Sequence, residues 1–411
     1  MTRSWTTVTL AAVLLLPPAG AGPTPVAAAP GGPACAWPEE VGADAHNVAL
    51  PDTNAHYWVT PFRVRADREI TVTGTFPDAR YASLTVYNGL RGTFTRNGVS
   101  SARTDYQIAP DPGSVNPWQQ RARPGGSYTL YLRHQVDPGQ ANTVPIAPAH
   151  ASDGDVGFLV YRTYLPADRP TVPARLPTLT VIDRGIPRTL RPCPAAVAPP
   201  GPRRPVLPPP RTAPDLAFAR GRGNDELFPN PDSGYLSAWI HPPHGDRVVV
   251  IRGRAAASPD TPHPSPWPAP GDDMRYWSLC TNLRRPYYPV VVNELPDGTV
   301  DPGCRHDDVA ALDPRGYYTF VLGTEAQRSA VQALPGVTFV PFSLEHPRAR
   351  HLVVLRNMLP VDSFPYSVLD APPNGRARPA AAAMGDYYPR GAVCVLAVLA
   401  AQGPAGCGLP D

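Results

Sequence analysis

Apolar and polar side chains alternate over residues 69–75, with Ile70 and Val72 on one side and Thr71 and Thr73 on the other, and alternate again over residues 128–132. A period of two is that of an antiparallel strand with one face buried and one wet. Residues 248–251 and 352–355 are apolar without interruption, as in strands covered on both faces. A single helix is predicted: Thr324 as N-cap, Ala326, Ala330, Val331 and Leu334 at helical spacing, and Pro335-Gly336 as the stop. Short strands joined by Gly- and Pro-rich loops predict an all-β chain of two tandem jelly-roll-like β-sandwich domains with very little helix.

Composition supports this picture. The 58 prolines and 34 glycines make up more than a fifth of the 411 residues, which disfavours long helices. Residues 194–214 are so rich in proline that they read as an extended spacer. On either side of it the same anchors recur in order. Trp58, Arg68 and Gly74 match Trp239, Arg247 and Gly253, and Arg80-Tyr81-Ala82-Ser83-Leu84 matches Arg275-Tyr276-Trp277-Ser278-Leu279. Farther on, Tyr128-Thr129-Leu130 matches Tyr318-Thr319-Phe320, and the Arg162 to Asp168 run matches Arg356 to Asp362. Four anchors in register predict a duplication. The second copy differs by a Pro-rich insertion, residues 258–273.

Arg3 followed by the apolar run 8–16 and small residues reads as a secretory signal peptide. The run is too short to span a membrane. Six cysteines in an exported chain point to disulfides, and the division at the spacer pairs them as Cys35–Cys193, Cys280–Cys304 and Cys394–Cys407. The expected organisation is a signal peptide and processed region over 1–29, a first β-sandwich over 35–193, a linker over 194–214, and a second β-sandwich with a C-terminal extension over 215–411.

Tyr81-Ala82-Ser83-Leu84-Thr85-Val86-Tyr87-Asn88, with Tyr128-Thr129-Leu130-Tyr131-Leu132 downstream, resembles the β-sandwich family called domain of unknown function twelve-fourteen, found in secreted actinobacterial proteins. The likeness spans roughly residues 58–165 and, more weakly, 239–359. It implies a jelly-roll-like fold and carries no established reaction. Cys280-Thr281-Asn282 stands where the first copy has Thr-Val-Tyr, a departure that makes unequal roles for the halves the expectation.

All 37 basic residues are arginine, which excludes Schiff-base lysines and phosphate-binding loops that depend on lysine. With 34 acidic residues the net charge is +3, and nucleic acid is not expected as a partner. Arg162 and Arg356 sit on apolar strand faces and therefore need partners, expected within their own halves, with Asp168 and Asp362 as candidates. Candidate ligand-binding residues are Arg275, Tyr276, Arg356, Asp386, Tyr387, Tyr388 and Arg390, since aromatic faces beside polar groups suit sugar rings. Trp267, Trp277, Tyr287 and Tyr288 are aromatic neighbours in sequence. His241-Pro-Pro-His244-Gly-Asp246 is too extended for a helical zinc motif, and His306-Asp307-Asp308 reads as an exposed loop beside a disulfide. No metal or cofactor is expected.

The sequence thus predicts a secreted, extracellular, monomeric protein with no membrane span that binds a ligand, a glycan before other small molecules. The alternatives are a secreted hydrolase or polysaccharide lyase with its site in the second domain, and a purely structural envelope protein.

Overall fold

The computed structural model describes residues 35–167, 176–194, 215–222, 228–284 and 288–410. The leader, the spacer beyond Pro194, Asp168 and Tyr287 lie outside the described residues. The chain is all-β, about 41% strand and 11% helix.

Among the described residues the first half contributes twelve strands: β1 (Glu39–Val41), β2 (Ala55–Arg63), β3 (Arg68–Thr75), β4 (Ala79–Tyr87), β5 (Thr95–Arg96), β6 (Val99–Ser100), β7 (Ala102–Thr104), β8 (Ser127–Arg133), β9 (Thr143–Pro145), β10 (Val156–Pro166), β11 (Thr178–Asp183) and β12 (Ile186–Leu190). The second half contributes β13 (Ala219–Arg220), β14 (Ser233–Ile240), β15 (Arg247–Arg254), β16 (Met274–Leu283), β17 (Val292–Glu294), β18 (Val300–Pro302), β19 (Cys304–His306), β20 (Tyr317–Gly323), β21 (Thr338–Pro341), β22 (His351–Pro360) and β23 (Arg390–Val395). Its helices are α1 (Arg328–Gln332), α2 (Ala377–Met384) and α3 (Leu396–Gln402).

Strand order repeats between the halves. One sheet runs β1-β2-β10-β4-β7 and its counterpart β13-β14-β22-β16-β19; the other runs β12-β11-β3-β8-β9 against β23-β15-β20-β21. Even the parallel pairs correspond, β8 with β9 and β20 with β21. Register repeats as well: Arg162 lies opposite Ser83 and Tyr57, and Arg356 opposite Ser278 and Tyr235. The Gly-Tyr anchors pair across β3–β8 and β15–β20. A side chain at Gly74 would start 2.7 Å from the Tyr128 hydroxyl and one at Gly253 2.5 Å from that of Tyr318, so each tyrosine needs a bare glycine opposite it.

Each half packs its two sheets around an apolar core. Trp58, Ile70, Val72, Leu84, Leu130 and Leu159 belong to the first core, and Leu236, Val249, Ile251, Leu279, Phe320 and Leu355 to the second. The opposite faces of the β2–β10–β4 and β14–β22–β16 sheets meet each other, where Ala55, Tyr81 and Tyr164 pack with Tyr276 and Met358. The unbroken apolar run of β15 is covered on both sides as expected: Val248 and Val250 turn outward, beneath Val331 of α1, Leu399 of α3 and Leu409. Each such aliphatic side chain contributes roughly 1.5–3 kcal/mol when fully buried. Arg252 holds the C-terminal segment by donating from Nε to the Pro410 carbonyl at 2.7 Å.

Disulfides join Cys35 to Cys193, Cys280 to Cys304 and Cys394 to Cys407, the expected pairs. The predicted helix is a 3-10 turn, Glu325–Gln327, continued by α1, with Thr324 and Gln327 forming a capping box. Two helices exceed the expectation. The sequence of α2 holds four consecutive alanines, the best helix formers, with its proline in the first turn where the missing N–H is no loss, and Gly385 ends it at φ 57°. Helix α3 ends at Gly403 in the same way.

Candidate functional site

Four arginines of the repeated anchors, Arg80, Arg162, Arg275 and Arg356, point between the halves. Arg356 is 2% exposed and pairs with Asp52, a residue of the first half that is 0% exposed. Its Nη2 also donates to the Leu50 carbonyl at 3.0 Å. Asp52 Oδ2 further accepts from Ser278 Oγ at 2.6 Å and from Tyr276 Oη at 2.8 Å. Burial pushes the Asp52 pKa up, but Arg356 and the hydrogen bonds outweigh it and hold the carboxyl below its usual range. The expected partner within the same half is therefore corrected: Asp362 is exposed beyond the strand end, whereas Arg356 faces away from its own sandwich toward Asp52.

Arg162 occupies the equivalent position, with no carboxylate partner among the described residues. It donates to Thr85 Oγ1 at 3.2 Å, Tyr87 Oη at 2.5 Å and the Phe228 carbonyl at 3.1 Å. Arg275 donates from Nη1 to Asp105 at 3.2 Å and lies 4.6 Å from the centroid of the Trp267 ring. Arg80, its counterpart, crosses the other way to Asp307 at 2.7 Å and to Asp308. The reading of 306–308 as an exposed loop holds for Asp308 and is corrected for Asp307, whose side chain is 4% exposed, and both carboxylates pair with Arg80. Burial raises Asp307 and Asp105 to about 6, against the opposing pull of Arg80 and Arg275. The insertion 258–273 docks on the first half through Thr261 to Arg80, His263 to Asp78 and Trp267 to Trp118. Arg275, Tyr276 and Arg356 are thus joined in one place, but that place is closed and their bonds are spent on holding the halves together. His241 pairs with Asp215 at 2.6 Å.

Tyr387 lies elsewhere, at a shallow, half-open cleft of the second half whose enclosed space, about 10 Å³, is that of about one water molecule. Its walls are Arg254, Trp277, Tyr318, Asn357, Phe364, Tyr366 and Tyr387, with Ala256, Met274 and Leu355. Tyr366, 45% exposed, stacks on Tyr387 with centroids 5.5 Å apart and an interplanar angle of 14°. Phe364 meets the same ring edge-on at 4.9 Å, and the Arg254 guanidinium lies 5.5 Å from its centroid. Burial raises the Tyr387 pKa, Asp273, Tyr366 and Asp386 add to the rise, and Arg254 opposes it. At the base, Trp277 and Tyr318 pack at 5.3 Å. The Tyr318 hydroxyl is buried and has no hydrogen-bond partner among the described residues, and burial raises its pKa, so it stays neutral.

The cleft has two structural causes. In the first half Phe76 follows β3 and packs on Tyr128 at 5.1 Å, but the register-equivalent residue after β15 is Ala255. Both residues donate their N–H to the matching glycine carbonyl, Gly126 and Gly316, so the position is the same and only the side chain is missing. Second, the β22–β23 connection, residues 361–389, is much longer than the 167–177 connection of the first half and carries Phe364, Tyr366 and Tyr387. It is fastened down: Asn357 Oδ1 accepts from Val368 N at 2.9 Å, Arg220 Nη1 donates to the Leu369 carbonyl at 2.7 Å, and Tyr388 Oη to the Phe218 carbonyl at 2.8 Å.

Of the candidates at the C-terminal end, Tyr387 lines the cleft, Tyr388 anchors the connection, and Asp386 and Arg390 are exposed. Trp267 is buried between the halves and Trp277 at the base of the cleft, so the aromatic neighbours in sequence do not form one surface. Sequence reasoning missed Arg254, Phe364 and Tyr366. The available signal was the extra length between Pro360 and Gly391, with its aromatic residues.

Among the described residues no helix is long and apolar enough to cross a membrane. No family model and no curated protein matches the chain. Among solved structures it is similar to an uncharacterised protein from Burkholderia cenocepacia, with TM-score 0.47 and 14% identity over 86% of this chain and 80% of that one. The VPA0106 protein from Vibrio parahaemolyticus gives TM-score 0.41 and 12% identity over 76% and 86%.

Proposed function

We propose that this is an exported protein that binds a glycan, in the aromatic cleft of its second half. The observation that carries the reading is the stacked pair of Tyr366 and Tyr387, with Tyr366 45% exposed. Sugar rings present C–H faces that pack on aromatic faces and hydroxyls that need partners, and a rigid aromatic wall takes them at little cost in conformational entropy. The fastening of 361–389 by Asn357, Arg220 and Tyr388 supplies that rigidity. Three disulfides suit an oxidising compartment. Among the described residues that line the cleft none is a carboxylate, which favours binding over glycoside hydrolysis by an acid pair. In this account the first half is a support, its Asp52, Asp105 and Arg80 neutralising buried charges of the second. The test is binding of the mature protein to a glycan array beside Tyr387→Ala and Tyr366→Ala, both expected to fold normally and to lose binding. Undiminished binding by both variants would move the site elsewhere.

A further inference from the structure

Several buried and half-buried arginines of this protein are matched to carboxylates. Arg252, two residues before Arg254 on β15, pairs with Asp313, Arg68 with Asp183, and Arg328 with Asp301 and Glu325. Arg254 differs. It is exposed at the rim of the cleft and lies over the Tyr387 ring, with no carboxylate in ion-pair distance among the described residues. Its register-equivalent in the first half is Thr75, so the cation belongs only to the half that carries the cleft. A guanidinium held against an aromatic face keeps its in-plane N–H donors free, and their geometry matches a carboxylate.

From this geometry we infer that the cleft takes an acidic sugar, a uronic acid whose carboxylate pairs with Arg254 while its ring lies on the exposed side of Tyr366, which Tyr387 backs. The inference rests on the glycan reading above and narrows it. Two carboxylates bear on Tyr387 as well, Asp273 and Asp386. Asp273 is engaged by the Ala257 N–H at 2.8 Å. Their charge repels a densely anionic chain, so the preferred ligand carries isolated carboxylates rather than a run of sulfates.

The experiment is a titration of the full mature chain with matched oligosaccharide pairs: galacturonic against galactose, glucuronic against glucose, and mannuronic against mannose trisaccharides. The proteins compared are the wild type, Arg254→Gln and Tyr387→Ala. At least one acid is expected to bind about tenfold or more tightly than its neutral match. Arg254→Gln should erase that preference by weakening only the acid, and Tyr387→Ala should weaken both members of the pair. Equal binding of acid and neutral sugar, or an unchanged preference in Arg254→Gln, would overturn the acidic assignment and leave the glycan reading standing. If no sugar in any pair binds the wild type, the glycan reading falls with it.

Discussion

Arg356 of β22 and Asp52 of the first half form an ion pair with both side chains closed to solvent, although 304 positions separate them in the chain. Among the described residues, Arg162 at the equivalent register position has only neutral acceptors. The two arginines are repeated in sequence and differ in chemistry. Arg356→Met leaves a buried carboxylate without its cation and should cost about 3–5 kcal/mol. Arg162→Met leaves neutral groups unpaired and should cost about 1–3 kcal/mol. Urea denaturation of the two variants checks the order; equal losses would mean that the pair across the halves adds nothing.

This relationship also marks what a sequence can disclose. The strands, their repetition and the disulfide pairs were legible because alternation, anchor spacing and cysteine count are local or nearly so. Asp52 was not, because it sits in a loop before β2 with no pattern around it, and only the packing of sheet on sheet brings it to Arg356. The cleft was half legible. Tyr387 and Trp277 stood out as aromatics, but Arg254 reads as one more strand-end arginine, and the vacancy beside Ala255 exists only by comparison with Phe76 in the folded first half. Helix α2 was readable from its alanines and was obscured by Pro379.

The disulfide between Cys35 and Cys193 spans 158 positions and encloses the whole first half. Cys35→Ser should destabilise the protein by roughly 4–5 kcal/mol in the chain-entropy account. Thermal unfolding of the oxidised wild type against the variant measures it. A variant that melts with the wild type would show that the inter-half ion pairs alone hold the first half.

Asp105 titrates at about 6 in the folded protein, raised above the ordinary carboxylate by burial against the pull of Arg275. A raised folded pKa means that the unfolded chain ionises first, so this contribution to stability is fully present below about 4 and is lost as pH rises through about 6. His351 works in the opposite sense. Burial pushes it down to about 4, so its contribution is present above about 6.5 and is lost as pH falls toward 4. The comparison must therefore be between wild type and Asp105→Asn at each pH. The wild type should lose stability relative to the variant between pH 4.5 and 7.5, with a Tm change of about 2–4 °C per kcal/mol. A difference between the two proteins that stays constant with pH would show that Asp105 remains ionised throughout.

Glycan binding in the second-half cleft is tested most directly by closing the cleft as the first half closes its own. Ala255→Phe places at the end of β15 the ring that Phe76 places at the end of β3. The measurement is equilibrium binding of wild type and Ala255→Phe to the best ligand of the array, with unfolding followed in parallel. The account predicts a stable variant that has lost binding by tenfold or more, about 1.4 kcal/mol or greater. A folded Ala255→Phe that binds as tightly as the wild type would contradict it.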